Sequence, residues 1–173
     1  MPDAASYSAA DTMRDGWPLE VRALRPEDRA DLLAALGRLG DQSLRRRFFG
    51  ARRGFTEREI AGFVEIDFVD HVALVAVAEE DGRPVIAGGA RYVVLRPGSA
   101  EVAFAVVDEY QGRGVGTALM RHIAAIARGA GLRELVAEVL PENAAMLGVL
   151  RRAGVARSLR HEAGVVHVAI RLS

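Results

Sequence analysis

Apolar and polar residues alternate across LEVRAL (19–24), the period of a strand with one buried face. Pro26 then suits a helix start, and Leu32, Leu33, Leu36 and Leu39 recur at helical spacing until Gly40 closes the segment. In DQSLRRRFF (41–49) Ser43 is the expected N-cap, and TERE (56–59) is a capping box that opens another helix toward Val64. One strand followed by three short helical pieces is the predicted opening. Residues 1–18 (MPDAASYSAADTMRDGWP) are small and polar without periodicity, so a flexible tail is expected there, with one folded domain over 19–173.

The middle of the chain reads as a meander. HVALVAVAEE (71–80), RPVIAGGARYVVL (83–95) and SAEVAFAVV (99–107) are predicted strands, separated by DG at 81–82 and RPGS at 96–99, both hairpin signals. Such strands pair antiparallel. Leu119, Ile123, Ile126 and Ala127 then mark the buried stripe of a helix that ends at Gly131. RELVAEVL (133–140), reached through that helix, is a buried strand parallel to its neighbour. PENAAMLGVLRRAG (141–154) is a predicted helix with Gly154 beyond its end, and VARSLRH with GVVHVAIRL closes the chain as a hairpin. The fold class is α+β with a mixed, mostly antiparallel sheet. Neither an internal repeat nor a second domain is visible.

Composition removes whole classes of chemistry. At 173 residues, half of them hydrophobic, the chain fits one domain with a sizeable core. Formal net charge is zero, from 23 basic and 23 acidic residues, so no overall field favours nucleic acid or an anionic membrane surface. There is no cysteine, which excludes disulfides, thiolate metal sites and an acyl-cysteine route. There is also no lysine: all 23 basic residues are arginine, which excludes a Walker-type phosphate loop, a pyridoxal Schiff base and a lysine nucleophile. No apolar run approaches the roughly 18 residues of a membrane helix, and the N-terminus lacks a secretory pattern, so a cytoplasmic protein is expected.

The candidate chemistry lies in DEYQGRGVGTALMRHIAAIAR (108–128), where Gly112, Gly114 and Gly116 run straight into an amphipathic helix. Unpaired N–H groups and the helix dipole favour an anion at such a start, and bare backbone lets a phosphate approach. A plain strand-to-helix turn needs fewer glycines. The dinucleotide fingerprint G-x-G-x-x-G does not fit, because 112–117 reads G-R-G-V-G-T and its strand follows antiparallel hairpins.

Gln111 to Gly116 reads Q-x-x-G-x-G, which resembles the acetyl-coenzyme A pyrophosphate loop of the GNAT superfamily of N-acetyltransferases. The order of predicted elements matches that superfamily from about residue 19 to the end. RPEDRADLLAALGRLGDQSLRRRFF, AEVAFAVVDEYQGRGVGTALM and AEVLPENAAMLGVLRRAG further resemble the catalytic domains of bacterial protein lysine acetyltransferases that modify acyl-CoA synthetases. The resemblance implies a GNAT-type sheet with a splayed parallel strand pair and helices on both faces. It implies acetyl-CoA as co-substrate and an amine acceptor, either a protein such as an acyl-CoA synthetase or a small amine; a non-catalytic acyl-CoA sensor is the alternative. Backbone groups of Val106 and Val107 would hold the pantetheine arm, and the amides of Gln111, Gly112, Arg113, Gly114, Val115, Gly116 and Thr117 the pyrophosphate. Asn143 matches the asparagine that contacts the arm, while Arg113 or Arg121 would reach cofactor phosphates. A monomer or a homodimer is compatible with all of this.

Chemistry also needs a base, because an amine near neutral pH is mostly ammonium. Glu101 is the one charge in the strand AEVAFAVV, where burial would raise its pKa, and the matching glutamate of the lysine acetyltransferases carries this role. Glu138, alone in LVAEVL, is the rival or a helper through water. Many superfamily members place a tyrosine seven residues after the asparagine to protonate the departing thiolate; here that position is Leu150. Asp70 and His71 read as cap and rim residues, and four scattered histidines make no metal site. Arg45, Arg46 and Arg47 before Phe48 and Phe49 read as a wet face on an apolar foot, on the side where GNAT proteins build the acceptor site, and not as a nucleic-acid patch.

Overall fold

The computed structural model describes residues 3–48, 55–153 and 155–172. Among them one sheet runs in the order β1 (Ser8–Thr12), β2 (Pro18–Ala23), β3 (His71–Glu80), β4 (Arg83–Arg96), β5 (Ser99–Val106), β6 (Glu134–Val139), β8 (Val165–Arg171), β7 (Val155–Glu162). Every neighbouring pair is antiparallel except β5 and β6. The helices are α1 (Arg29–Gly37), α2 (Asp41–Phe48), α3 (Glu57–Val64), α4 (Val115–Gly129) and α5 (Ala144–Ala153).

Local patterns account for most of these elements. In β2 the alternating Leu19, Val21 and Ala23 are buried while Pro18 and Glu20 face water, as period-2 patterning requires. The α3 capping box forms as predicted, with Thr56 Oγ1 accepting from Glu59 N at 3.1 Å and Glu59 Oε1 accepting from Thr56 N at 3.1 Å. Leu119, Ile123, Ile126 and Ala127 form the buried stripe of α4 and join the core under the sheet. Gly88 brings β4 close to that helix: a Cβ there would lie 3.2 Å from Leu119 Cδ1, which puts α4 on one face of the sheet. On the other face α1 packs across β4.

Three expectations need correction. Residues 3–18 are not a tail: Ser8–Thr12 forms the edge strand β1, paired with β2 at five positions. Its residues are too small and polar to show a hydrophobic period, and partners far along the chain hold it in place. Tyr7 Oη lies 2.5 Å from His122 Nδ1 on α4, His122 Nε2 lies 2.7 Å from Asp11 Oδ2, and Arg121 pairs with Asp11 as well. Ser43 is not an N-cap, because α2 begins at Asp41 and the Ser43 hydroxyl donates to Asp108 Oδ1 at 2.7 Å. The cap before β3 is Asp67, whose Oδ1 accepts from the amides of Val69, Asp70 and His71. Gly154 and Phe49 lie outside the described residues. No described helix is long and apolar enough to cross a membrane.

Candidate active site

The parallel pair β5 and β6 stays in register only from Ser99↔Glu134 to Glu101↔Val136; beyond that point the strands separate. The gap is a cleft of about 400 Å³ walled by Val102–Val106 of β5, Glu138 and Val139 of β6, and Met146 and Val149 of α5. Where β6 has departed, backbone groups along β5 have no neighbour strand on that side and need partners. An amide-bearing chain laid into the gap would supply them.

The closed end of the cleft is the glycine loop. Gly112 and Gly114 hold φ of +75° and +89°, the left-handed region that strains any side chain, and Gly114 is the N-cap residue of α4. No side chain caps this helix, so the first-turn amides of Val115, Gly116 and Thr117 remain directed at the cleft they line. Gln111 does not aim at that space: its Nε2 donates to Val106 O and to Ser43 Oγ, both at 3.0 Å. Asp108 accepts from Ser43 and, at 3.2 Å, from Gly40 N, so Gln111 and Asp108 together tie the loop to α2, which roofs the cleft.

Several predicted contacts are redistributed. Val106 and Gln111 line the cleft, as do Gly112, Gly114, Val115, Gly116, Thr117 and Asn143. Val107 does not: it is buried, its N–H donates to Ala87 O and its carbonyl accepts from Tyr110 N, both at 2.8 Å, so no backbone group is left for a pantetheine arm. Arg113 turns away as well, with Nε 2.8 Å from Asp15 Oδ2 and its guanidinium over the Tyr110 ring, and Arg121 is occupied by Asp11 on the far side of α4. Beside Gly114 the cation that lines the cleft is Arg14. It sits in the tight β1–β2 turn, donates its N–H to Arg113 O at 2.8 Å, and packs its Cγ 3.2 Å from where a Gly114 Cβ would stand. One signal for it exists: Asp15-Gly16 is the same two-residue hairpin signal as Asp81-Gly82, and Gly16 takes φ +89°.

At the open end stand the acids. Glu101 lines the cleft but is exposed, so the burial expected of it is absent; it is the third residue of β5, at the rim, where water reaches it. Strand alternation puts Glu101, Ala103 and Ala105 on the face opposite α4, toward α2 and the Arg47 guanidinium. Glu138 is also exposed and lies 3.7 Å from His167 Nδ1 across the β6–β8 pair. Asn143 Oδ1 accepts from Met146 N at 3.3 Å, capping α5, which leaves Nδ2 to donate into the cleft. Leu150 is buried away from the cleft. Tyr110 does reach the cleft wall, but its hydroxyl donates to Glu80 at 2.6 Å; burial and that carboxylate push its pKa up to about 12, so it keeps its proton and points it elsewhere.

Arg46 and Arg47 line the cleft, whereas Arg45 bonds Glu142 at 2.6 Å and so joins α2 to the turn before α5. Among the described residues no cluster of three or more His, Asp or Glu side chains could hold a metal ion.

Comparison with known proteins gives a consistent picture. The model of the acetyltransferase (GNAT) family matches residues 13–155. The chain is 36% identical over 158 residues to acetyltransferase Pat from Mycolicibacterium smegmatis, covering 89% of this chain but only 46% of that protein. It is 31% identical over 137 residues to an acetyltransferase of Pseudomonas aeruginosa, covering 79% and 74% of the two chains. Among solved structures, the GNAT domain of S. lividans PAT superposes with a TM-score of 0.85 at 35% identity, over 95% of this chain and 97% of that one.

Proposed function

Because the chain belongs to the acetyltransferase (GNAT) family, we propose that it moves an acetyl group from acetyl-CoA directly onto an amine, and that the amine is a lysine side chain of a protein. The observation that carries the reading is a single cleft with an uncapped helix start at one end and a carboxylate at the other. The resemblance to bacterial protein lysine acetyltransferases supports the lysine, as does the 35–36% identity with two proteins named Pat; the chain spans less than half of one of these.

The residues divide the work by position. The amides of Val115, Gly116 and Thr117, beside the bare backbone at Gly112 and Gly114, donate to a pyrophosphate, and Arg14 adds a full charge. The free side of β5, with Asn143 Nδ2 facing it, satisfies the amides of a pantetheine arm. Bound there, acetyl-CoA supplies a thioester carbonyl at the splay point. Glu101 takes the proton from the incoming ammonium, and its exposure leaves it open to an acceptor arriving from solvent. With no cysteine in the chain the transfer is direct, within a ternary complex. Among the described residues no side chain is assigned to protonate the leaving sulfur, and a thiolate whose conjugate acid has a pKa of about 8.5 departs without one.

Measured release of CoA from acetyl-CoA, with lysine peptides and acyl-CoA synthetases as acceptors, tests this reading. Transfer to lysine that falls roughly 10² to 10⁴-fold in Glu101→Gln, with acetyl-CoA affinity unchanged, is the expected result. The buried Leu150 and the diverted Tyr110 favour one second reading, a non-catalytic acyl-CoA sensor. Tight acetyl-CoA binding with no turnover on any amine would select it.

A further inference from the structure

On the face of the sheet covered by α1, α2 and α3, a second cavity of about 70 Å³ adjoins the cleft, and Arg47, Ala103 and Ala105 line both. Its floor is nearly bare. Gly89 and Ala105 pair across β4 and β5, as do Arg91 and Ala103, so on the β5 side only alanine methyl groups stand beside Arg91. Leucines of α1 close the top.

Two guanidinium groups enter this apolar space from different elements. Arg47 comes from α2, stacked on Phe48 at 4.8 Å, and Arg91 from β4, stacked on Phe63 at 5.2 Å. Arg91 donates to Phe63 O at 3.2 Å and lies 3.4 Å from His71 Nε2. Arg47 makes no hydrogen bond or ion pair among the described residues, and neither arginine has a carboxylate there at ion-pair distance. Burial lowers the pKa of both, that of Arg91 to about 10 with the Arg47 charge adding to the effect, and Glu101 is the one carboxylate whose field opposes the shift at Arg47. Both remain cations at neutral pH. Two like charges held together in a poorly solvated pocket are unfavourable unless an anion joins them.

We propose that Arg47 and Arg91 form a subsite for a carboxylate carried by the acceptor itself, so that the preferred acceptor is an amine whose own molecule bears a carboxylate. Glu101 stands on the same face, two residues along β5 from the partner of Arg91. The ammonium end of such an acceptor then meets the acid while its carboxylate meets the arginines, and the opposed charges set its direction. An acidic residue beside the acceptor lysine of a peptide and the carboxylate of a free amino acid offer the same chemistry. The inference rests on the acetyl-transfer reading for the amine, but not for the anion.

Titration calorimetry on the CoA-saturated full chain separates these sources. The probes are matched pairs: a short peptide with both ends blocked and Lys-Glu against the same peptide with Lys-Gln, and leucine against its α-amide. The carboxylate member of at least one pair should bind about tenfold more tightly, and the pair that shows it names the source. Arg47→Met, which keeps an unbranched apolar stem beside Phe48 and is checked for an unchanged melting temperature, should bring the ratio within twofold, while Arg47→Lys keeps part of it. Arg91→Lys, checked for an unchanged melting temperature, should reduce it as well. Equal affinity within both pairs, or a preference that survives Arg47→Met, overturns the proposal. Carboxylate-selective binding with no CoA release from any amine would instead remove the acetyl-transfer reading and leave the subsite standing.

Discussion

Glu101 stands where the parallel pair parts, exposed to solvent and on the face of the sheet toward α2. If it removes the ammonium proton, Glu101→Gln keeps the shape and loses the base, and Glu138→Gln, across the gap and beside His167, should cost less. A Glu101→Gln enzyme within threefold of wild type, with chemistry rate-limiting, would move the role elsewhere. Arg14 is the matching case at the other end. If its charge holds bound cofactor equally in the ground and transition states, Arg14→Ala should raise KM for acetyl-CoA roughly tenfold and leave kcat within about twofold, the pattern of uniform binding loss. Steady-state kinetics with varied acetyl-CoA checks it, and Arg113→Ala, whose side chain bonds Asp15 outside the cleft, should have the smaller effect.

Between elements, the joint of β2 with α1 is held by one buried ion pair. Asp28 is 5% exposed and accepts from Arg22 Nη1 and Nη2 at 2.8 and 2.9 Å and from Arg25 N at 2.8 Å. Burial alone would raise its pKa; the bonds from Arg22 and Arg25 outweigh that and hold it below the ordinary carboxylate range. A carboxyl depressed in the folded state contributes stability that is complete above its unfolded pKa of about 3.9 and is lost as pH falls through the lower folded value. Asp28→Asn should therefore lose about 2–4 kcal/mol near pH 7, and the gap should narrow as pH drops below about 4. Urea melts of both proteins from pH 7 to pH 2.5 measure that convergence; a constant gap would place the stabilisation elsewhere. The β1–β2 hairpin shows the same dependence on remote partners, since its strand is small and polar and its anchors, His122 and Arg121, lie on α4.

For the molecule as a whole, the absence of lysine means that acetyl transfer to its own side chains has no ε-amine to use. Incubation with acetyl-CoA followed by peptide mass spectrometry should find no internal ε-acetyl group, and any added mass should lie at the N-terminus. Strands β2 to β8, the helix stripes, the hairpin turns after β3 and β4 and the glycine loop leading into α4 were legible in the sequence, because residue period and turn chemistry act within a few positions. The same local logic brought Gln111–Gly116 and the strand end before it into one predicted anion site, and the cleft forms there. Tertiary structure alone decided which side chains face that cleft. Arg113 is drawn out by Asp15, 98 positions away, and Arg14 enters through a hairpin whose first strand carries no hydrophobic period. Glu101 sits in an apolar run yet meets water, because β6 leaves β5 at that residue. A side chain's direction follows the nearest opposite charge and the nearest open space, and both are set by segments that sequence distance keeps apart and folding brings together.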